Sequence, residues 1–468
     1  INYATVVCDQ ADREGLILLS TDTIAAVATP PGRGGVGIVR VSGPKALEIA
    51  KAVTGRLLEP RFATFTDFLD VDGQVIDQGL AIQFTAPASF TGEDVLELQG
   101  HGGPVVMSLL LARVVQLGAR MARPGEFSER AFLNDKLDLS QAEAVADLID
   151  STTEAAARGA LRSLKGEFSH QVKALDIEIV QLRMFVEAAI DFPEEEIDFL
   201  SDEHLKVGLD SALSRLINLT EQTNQGALLR EGITLVLIGE PNAGKSSLMN
   251  RFVGDDVSIV TEVPGTTRDV IRESISLDGI PLKLVDTAGI RETENTIEAE
   301  GVRRAKAELL GADGILVVID VAAHSDWRGT VATLIEGVAT DKPVFVALNK
   351  IDIAAVAPVT AVDTGYQAVP VSAFTGKGFD TLKAALLTQF APGIAVESSF
   401  IARSRHVDAL QRAKVHLLEG RRVLFEDAAG ELFAEELRYC HDALTEITGE
   451  FTSDDLLGTI FSTFCIGK

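Results

Sequence analysis

Hydrophobic positions fall into three textures along the chain. From Thr23 short apolar runs at 24–28, 37–41, 79–84 and 94–98 predict strands, and the patterns at 44–54 and 104–117 predict helices between them. This is the pattern of an α+β domain, bounded at 20–137. Beyond it the period lengthens: Val172, Leu175, Ile179, Leu182, Val186 and Ala189 step by three and four, predicting a long amphipathic helix that stops at Phe192-Pro193. Ser140 with Glu143 predicts a capping box at the start of the helical region. Helical pattern returns at 203–228, 405–424 and 431–447. The third texture, near-continuous β-branched runs at 233–238, 282–285 and 344–348, predicts buried strands. The expected architecture is therefore a multidomain α/β chain: an α-helical bundle domain, 138–228 and 391–468, interrupted by an inserted module at 229–390.

The run at 233–238 leads into Gly239-Glu240-Pro241-Asn242-Ala243-Gly244-Lys245-Ser246-Ser247, and a helical pattern follows. Chemistry explains the order: flexible glycines let successive N–H groups curl around phosphates, Lys245 reaches the terminal phosphates, and the Ser246 hydroxyl can ligate Mg²⁺. A glycine turn without a ligand would not need both flanks. Downstream, Asn349-Lys350-Ile351-Asp352 and Ser372-Ala373 each follow a predicted strand. The Asp352 carboxylate can accept the two N–H groups of a guanine edge, which adenine lacks, with Asn349 and Ala373 reading the ring nitrogen and carbonyl. Between them, Gly265-Thr266-Thr267-Arg268-Asp269 offers Thr267 as a second Mg²⁺ ligand. Asp286-Thr287-Ala288-Gly289 brings a carboxylate near the metal and a backbone N–H near the γ-phosphate. Asp278-Gly279 marks a hairpin turn. The set predicts a Ras-like P-loop GTPase hydrolysing GTP, with one departure: Ile290 stands where Ras-type enzymes carry a water-positioning glutamine.

Composition narrows this. The 468 residues carry 42 basic and 69 acidic side chains, a net charge of −27, and such a surface repels nucleic acid unless basic groups cluster. The densest patches are only 403–406 and Arg421-Arg422. The eight acidic and no basic side chains of 187–203 fit a solvated face better than a metal site. Three cysteines, Cys8, Cys440 and Cys465, with no CxxC pair, predict a reducing compartment and no zinc. No apolar run approaches the roughly 18 residues of a membrane span. Residues 1–19 begin on Ile1, show no basic-then-apolar signal order, and are expected to be an extension. Gly32, Gly34 and Gly37 mimic a dinucleotide fingerprint, but a strand rather than a helix follows them. His101, in a glycine cluster, is expected to be structural. The tail at 460–468 lacks the order of a prenylation box and is expected to fray.

The segments Pro30-Pro31-Gly32-Arg33-Gly34-Gly35-Val36-Gly37, Ser89-Phe90-Thr91-Gly92-Glu93-Asp94 and Gly125-Glu126-Phe127-Ser128-Glu129-Arg130-Ala131-Phe132, the inserted GTPase, and the terminal Cys465-Ile466-Gly467-Lys468 together resemble the MnmE (TrmE) family of tRNA-modification GTPases, from about residue 21 to the end. The resemblance implies a cytoplasmic homodimer. It would work with the flavoprotein MnmG to install an aminomethyl or carboxymethylaminomethyl group at carbon 5 of the wobble uridine in certain tRNAs. It implies that 20–137 is a folate-binding-like dimerisation domain, where Arg40, Glu97, Lys136 and Lys468 contact a tetrahydrofolate derivative, 5-formyl- or methylene-tetrahydrofolate. It implies K⁺ held by Asn242, Thr261, Val263 and Thr266 in place of an arginine finger, and Glu298, twelve residues beyond Asp286, orienting the water. Cys465 is implied either as a nucleophile toward the uracil ring or as a wall of the folate site. A ribosome-assembly GTPase acting as an RNA-binding switch is the competing reading. It would be expected to carry a basic module, and folate binding separates the two.

Overall fold

The computed structural model describes residues 22–191, 203–255, 272–286, 311–324, 326–336, 342–354, 366–393, 399–427, 429–450 and 454–467. They fall into two compact units, one running up to Ala146 and resuming at Thr445, the other Asp147–Leu444.

The first unit is built on a mixed sheet of β1 (Ile24–Val27), β2 (Gly34–Ser42), β3 (Thr64–Leu69), β4 (Val75–Phe84), β5 (Val95–Gly102) and β6 (Arg120–Met121), in the order β3-β4-β5-β2-β1-β6. All neighbours are antiparallel except the β1–β6 pair. Val39, Val41, Phe68, Ala81, Leu96 and Leu98 bury one face against the helices Ala46–Thr54 and Pro104–Gln116. Strand β3 is absent from the sequence expectation because Phe65 is exposed while Phe68 is buried, so apolar residues lie on both faces and the alternation is blurred. The Gly32–Gly37 region enters β2 directly, in keeping with a strand rather than a dinucleotide turn. Strand β5 runs through His101, which therefore lies in a strand, its Nδ1 2.7 Å from Asp77.

Two expectations in this unit are corrected. Helix Leu139–Asp150 is capped by Asp138, not Ser140: Asp138 Oδ1 accepts the Gln141 N–H at 3.0 Å and Gln141 Oε1 accepts the Asp138 N–H at 2.9 Å. The box is Asp-x-x-Gln, begun two residues earlier, because Ser140 spends its hydroxyl on Asp138. Nor does the described tail fray. Helix Asp454–Ser462 and Phe464 pack with Leu139 and Ala142, Ile466 bridges to Pro124, and the Gly125 N–H donates to the Cys465 carbonyl at 3.4 Å. Gly125 has φ 66°, and a Cβ there would lie 2.6 Å from the Phe461 carbonyl oxygen, so the tail seats only against glycine.

The second unit joins a helical bundle to the GTPase fold. Its long helices are Glu154–Leu164, Glu167–Asp191, Glu203–Glu231, Ser404–Arg422 (continued by a π turn, Val423–Asp427) and Gly430–Thr448. Val172, Leu175, Ile179 and Val186 of the predicted stripe are all buried. The inserted sheet holds β7 (Ile233–Ile238), β8 (Arg272–Leu277), β9 (Ile280–Asp286), β10 (Gly314–Asp320), β11 (Val344–Asn349) and β12 (Gln367–Pro370), ordered β12-β11-β10-β7-β9-β8. Only the β8–β9 pair is antiparallel, closed by Asp278 (φ 51°) and Gly279 (φ 91°) as their dipeptide predicts. One apolar core runs from Ala155, Ala156 and Ala160 through Leu229 into Ile275, Leu277, Ile280 and Leu282, so this hairpin is packed on the bundle. The Thr153 hydroxyl accepts the Ala156 N–H as a helix N-cap and donates to the Gly279 carbonyl at 2.9 Å. Where the chain enters and leaves the insert, one buried carboxylate is shared: Asp147 Oδ1 accepts from Arg230 Nε and from Arg403 Nη2, each at 2.8 Å.

Candidate functional site

The nucleotide-site residues arrive from separate strands but emerge at one edge. In a parallel sheet the loops that leave the carboxyl ends of adjacent strands are neighbours, and β7 lies where the strand order reverses. From β7 comes the phosphate loop; β9 ends on Asp286, β11 on Asn349, and β12 leads to Ser372. Register aligns Asp286 with Leu237 and Asn349 with Asp320.

Within the loop Asn242 has φ 61° and is exposed, Ser246 and Ser247 are exposed in the first turn of helix Lys245–Asp255, and Ala243 is buried. Gly244 has φ 98°, and a Cβ there would lie 2.3 Å from Asn349 Nδ2. Lys245 Nζ donates to the carbonyls of Gly239 and Glu240 at 2.8 and 3.0 Å, which folds the ammonium back over the loop. The Ser246 hydroxyl and the Asp286 carboxylate are hard oxygen donors of the kind Mg²⁺ takes.

The residues expected to read the base are brought together. Asn349 is 2% exposed; its Nδ2 donates to the Ala243 carbonyl at 2.9 Å and its Oδ1 accepts the Ala373 N–H at 3.0 Å. Asn349 therefore braces the phosphate loop against the Ser372 loop, and the Ala373 N–H is engaged by it. Asp352 Oδ1 accepts from the Ser372 hydroxyl at 2.6 Å, which orients the carboxylate. Lys350, at φ 68°, donates to Asp320 at 2.6 Å. Burial pushes the Asp320 carboxyl up, but Lys350 and the backbone N–H groups of Ala322 and Ala323 outweigh it and hold it below the usual range.

In the first unit the register sets Arg40 directly opposite Glu97 on β2 and β5, and the two form an ion pair at 2.9 Å. The Arg40 guanidinium lies 5.7 Å from the centres of both the Phe90 and Phe127 rings, and Lys136 Nζ donates to the Pro87 carbonyl at 2.9 Å. The 87–92 loop thus links Arg40, Glu97 and Lys136. Phe127 is fully buried and Phe90 is 38% exposed, so of the two rings only Phe90 offers a face to solvent. Cys465 is exposed, its carbonyl held by Gly125.

Sequence reasoning missed what the acidic and basic residues of Gly125–Phe132 do. Arg130, 5% exposed, bridges Glu93, Glu126 and Asp22 at 3.1, 3.2 and 2.7 Å, and Arg120 Nη1 donates to Glu126 at 2.8 Å. Burial pushes Glu126 up, yet Arg120, the Arg123 N–H and Arg130 hold its carboxyl below the usual range. The spacing of Glu126 and Arg130, four apart on a helix, was the available signal.

Thr261, Val263, Thr266, Thr267, Gly289, Glu298, Lys468, Cys8 and most of the acidic run lie outside the described residues. Among those described, no group of three or more His, Cys, Asp or Glu side chains is placed to hold a metal, and no helix is long and apolar enough to cross a membrane.

Two family models match, "MnmE helical domain" over residues 139–465 and "GTP-binding protein TrmE N-terminus" over 23–136. The chain belongs to the MnmE family. The tRNA modification GTPase MnmE of Saccharophagus degradans is 52% identical over 452 residues, 96% of this chain and 99% of that protein. That of Hydrogenovibrio crunogenus is 53% identical over 452 residues, again 96% and 99%. Among solved structures, the G domain of the T. maritima FeoB iron transporter is 25% identical, covering 34% of this chain and 98% of that one at a TM-score of 0.27. Era of Aquifex aeolicus is also 25% identical, covering 40% and 66% at 0.25. As an MnmE-family chain with a P-loop GTPase module, this protein is a GTPase.

Proposed function

We propose that this GTPase is the GTP-hydrolysing component of a tRNA wobble-uridine modification system, acting as a homodimer with an MnmG-type flavoprotein in the cytoplasm. The reading divides the chain at 20–137, 138–228, 229–390 and 391–468. It adds an aminomethyl or carboxymethylaminomethyl group at carbon 5 of the uridine. The observation that carries it is the 52% identity to a tRNA modification GTPase along 96% of the chain.

Hydrolysis is an in-line attack of water on the γ-phosphate, so the protein's task is to position the reactants and offset charge. When nucleotide enters, Lys245 exchanges two loop carbonyls for phosphate oxygens, and the helix N-terminus at Lys245 supplies N–H groups. Ser246 and Thr267 would hold Mg²⁺, with the Asp286 carboxylate near it, and the ion would supply charge neutralisation. Asn242 with Thr261, Val263 and Thr266 would hold K⁺, and Glu298 would orient the water that Ile290 cannot. In the first unit Arg40, Glu97, Lys136 and Lys468 would hold the tetrahydrofolate derivative, whose chemistry is one-carbon transfer. Cys465, on the docked tail, would form part of that site.

GTP hydrolysis in K⁺ against Na⁺ at matched ionic strength, for the parent and Asn242→Ala, tests the cation assignment. Stimulation by K⁺ that disappears in the variant is expected; equal rates in both salts overturn it. Equilibrium binding of 5-formyl-tetrahydrofolate to the parent and to Glu97→Gln tests the rest, since an RNA-switch GTPase has no use for a one-carbon carrier.

A further inference from the structure

The loop after β12 carries a side chain that the fold does not use. Ser372 is fully buried and held to Asp352 at 2.6 Å, while Ala373 is nearly buried and its N–H is held by Asn349 at 3.0 Å. The next residue, Phe374, is 87% exposed. Its backbone has little freedom, because the Thr375 N–H donates to the Ser372 hydroxyl at 3.1 Å and the Gly376 N–H to the Ser372 carbonyl at 2.8 Å. A phenyl ring left in water forgoes the burial that normally justifies its presence. Here it stands one residue beyond the groups that bound the base site, on the loop facing the Asn349–Asp352 loop across adjacent parallel strands.

We infer that Phe374 is a base-stacking residue of the nucleotide site, closing over one face of the guanine while Asp352 reads its edge. The loop from β11 supplies the other wall, where Asp320 pins the Lys350 head at 2.6 Å and so fixes the aliphatic stem. Stacking engages the π-face that every base possesses and carries no information about its edge, so Phe374 contributes affinity and Asp352 contributes discrimination. The inference rests on GTP binding alone and does not depend on the tRNA, K⁺ or folate assignments.

Equilibrium titration of the full-length chain with GDP and with inosine diphosphate, which lacks the 2-amino group, tests it on Phe374→Ala, Phe374→Trp and Ile353→Ala. Ile353, 69% exposed next to Asp352, is the control for an exposed apolar side chain that cannot stack as a ring. Phe374→Ala should weaken both nucleotides by the same factor, about five- to a hundredfold, the range of one base–aromatic stack. Phe374→Trp should stay within about threefold of the parent, and its indole fluorescence should be quenched on adding GDP, as expected for a retained stack of similar strength. Ile353→Ala should change neither nucleotide. Removing so exposed a side chain should leave the melting temperature of the nucleotide-free chain unchanged. A loss confined to GDP would mean that the loop, not the ring, had been disturbed. Loss in the Trp variant equal to that in the Ala variant, a fall in melting temperature, or unchanged affinity in Phe374→Ala would each overturn the assignment.

Discussion

Removing the Asp147 carboxylate should loosen the junction of bundle and GTPase module without touching the nucleotide site. The side chain is 5% exposed and faces Arg403, 14% exposed, and Arg230, 34% exposed. Asp147→Ala removes the carboxylate that both guanidinium groups share beside the points where the chain enters and leaves the insert, and leaves Arg230 with the looser 3.8 Å pair to Glu231. Breaking a buried pair by deleting one partner costs about 3–5 kcal/mol, because the remaining charge stays desolvated. Arg230 is exposed enough to rehydrate, which favours the lower end, about 3 kcal/mol. In thermal unfolding of the nucleotide-free chain this corresponds to a fall of about 6 °C, at roughly 2 °C per kcal/mol for a large unit. A double-mutant cycle with Arg403→Met sharpens the test: once Arg403 is gone, Asp147→Ala should cost at least about 1 kcal/mol less. GDP affinity should remain at the parental value, since none of the three residues belongs to the phosphate loop. Single-mutant costs that add to within about 0.5 kcal/mol would refute the clamp.

Gly244→Ala should abolish tight GDP binding and lower stability by about 2 kcal/mol or more, because a left-handed backbone and the Asn349 amide both oppose a Cβ; titration with GDP and a melting curve check it. Burial of the first-unit charge network gives a pH dependence. Glu126 and Asp22 have carboxyls depressed below their unfolded values, so their stabilisation is complete above about pH 5 and is lost as pH falls through the folded-state values. Glu126→Gln should flatten the acid limb of the melting temperature between about pH 5 and 3. Burial, with Asp176 nearby, pushes the Cys440 thiol up to about 12, whereas Cys465 is exposed. Iodoacetamide at pH 8, followed by peptide mass spectrometry, should label Cys465 and spare Cys440; equal labelling would refute the assigned burial.

The sequence by itself determined what depends on neighbours along the chain. The phosphate loop between β7 and helix Lys245–Asp255, the Asp278-Gly279 hairpin, the buried stripe of Glu167–Asp191 and the order of the GTPase motifs are all local patterns, because backbone curvature and helical or strand period act over a few residues. Tertiary structure decided what depends on pairing between distant segments. Arg40 meets Glu97 only through the β2–β5 register, and Asn349 reaches the Ala243 carbonyl only because β11 lies two strands from β7. The tail, expected to fray, is held because Gly125 lacks a Cβ, and Asp147 becomes a clamp because Arg230 and Arg403, 83 and 256 residues away, converge on it. None of these follows from periodicity, since the energy that selects them comes from desolvated charge and close packing that exist only once the chain has folded.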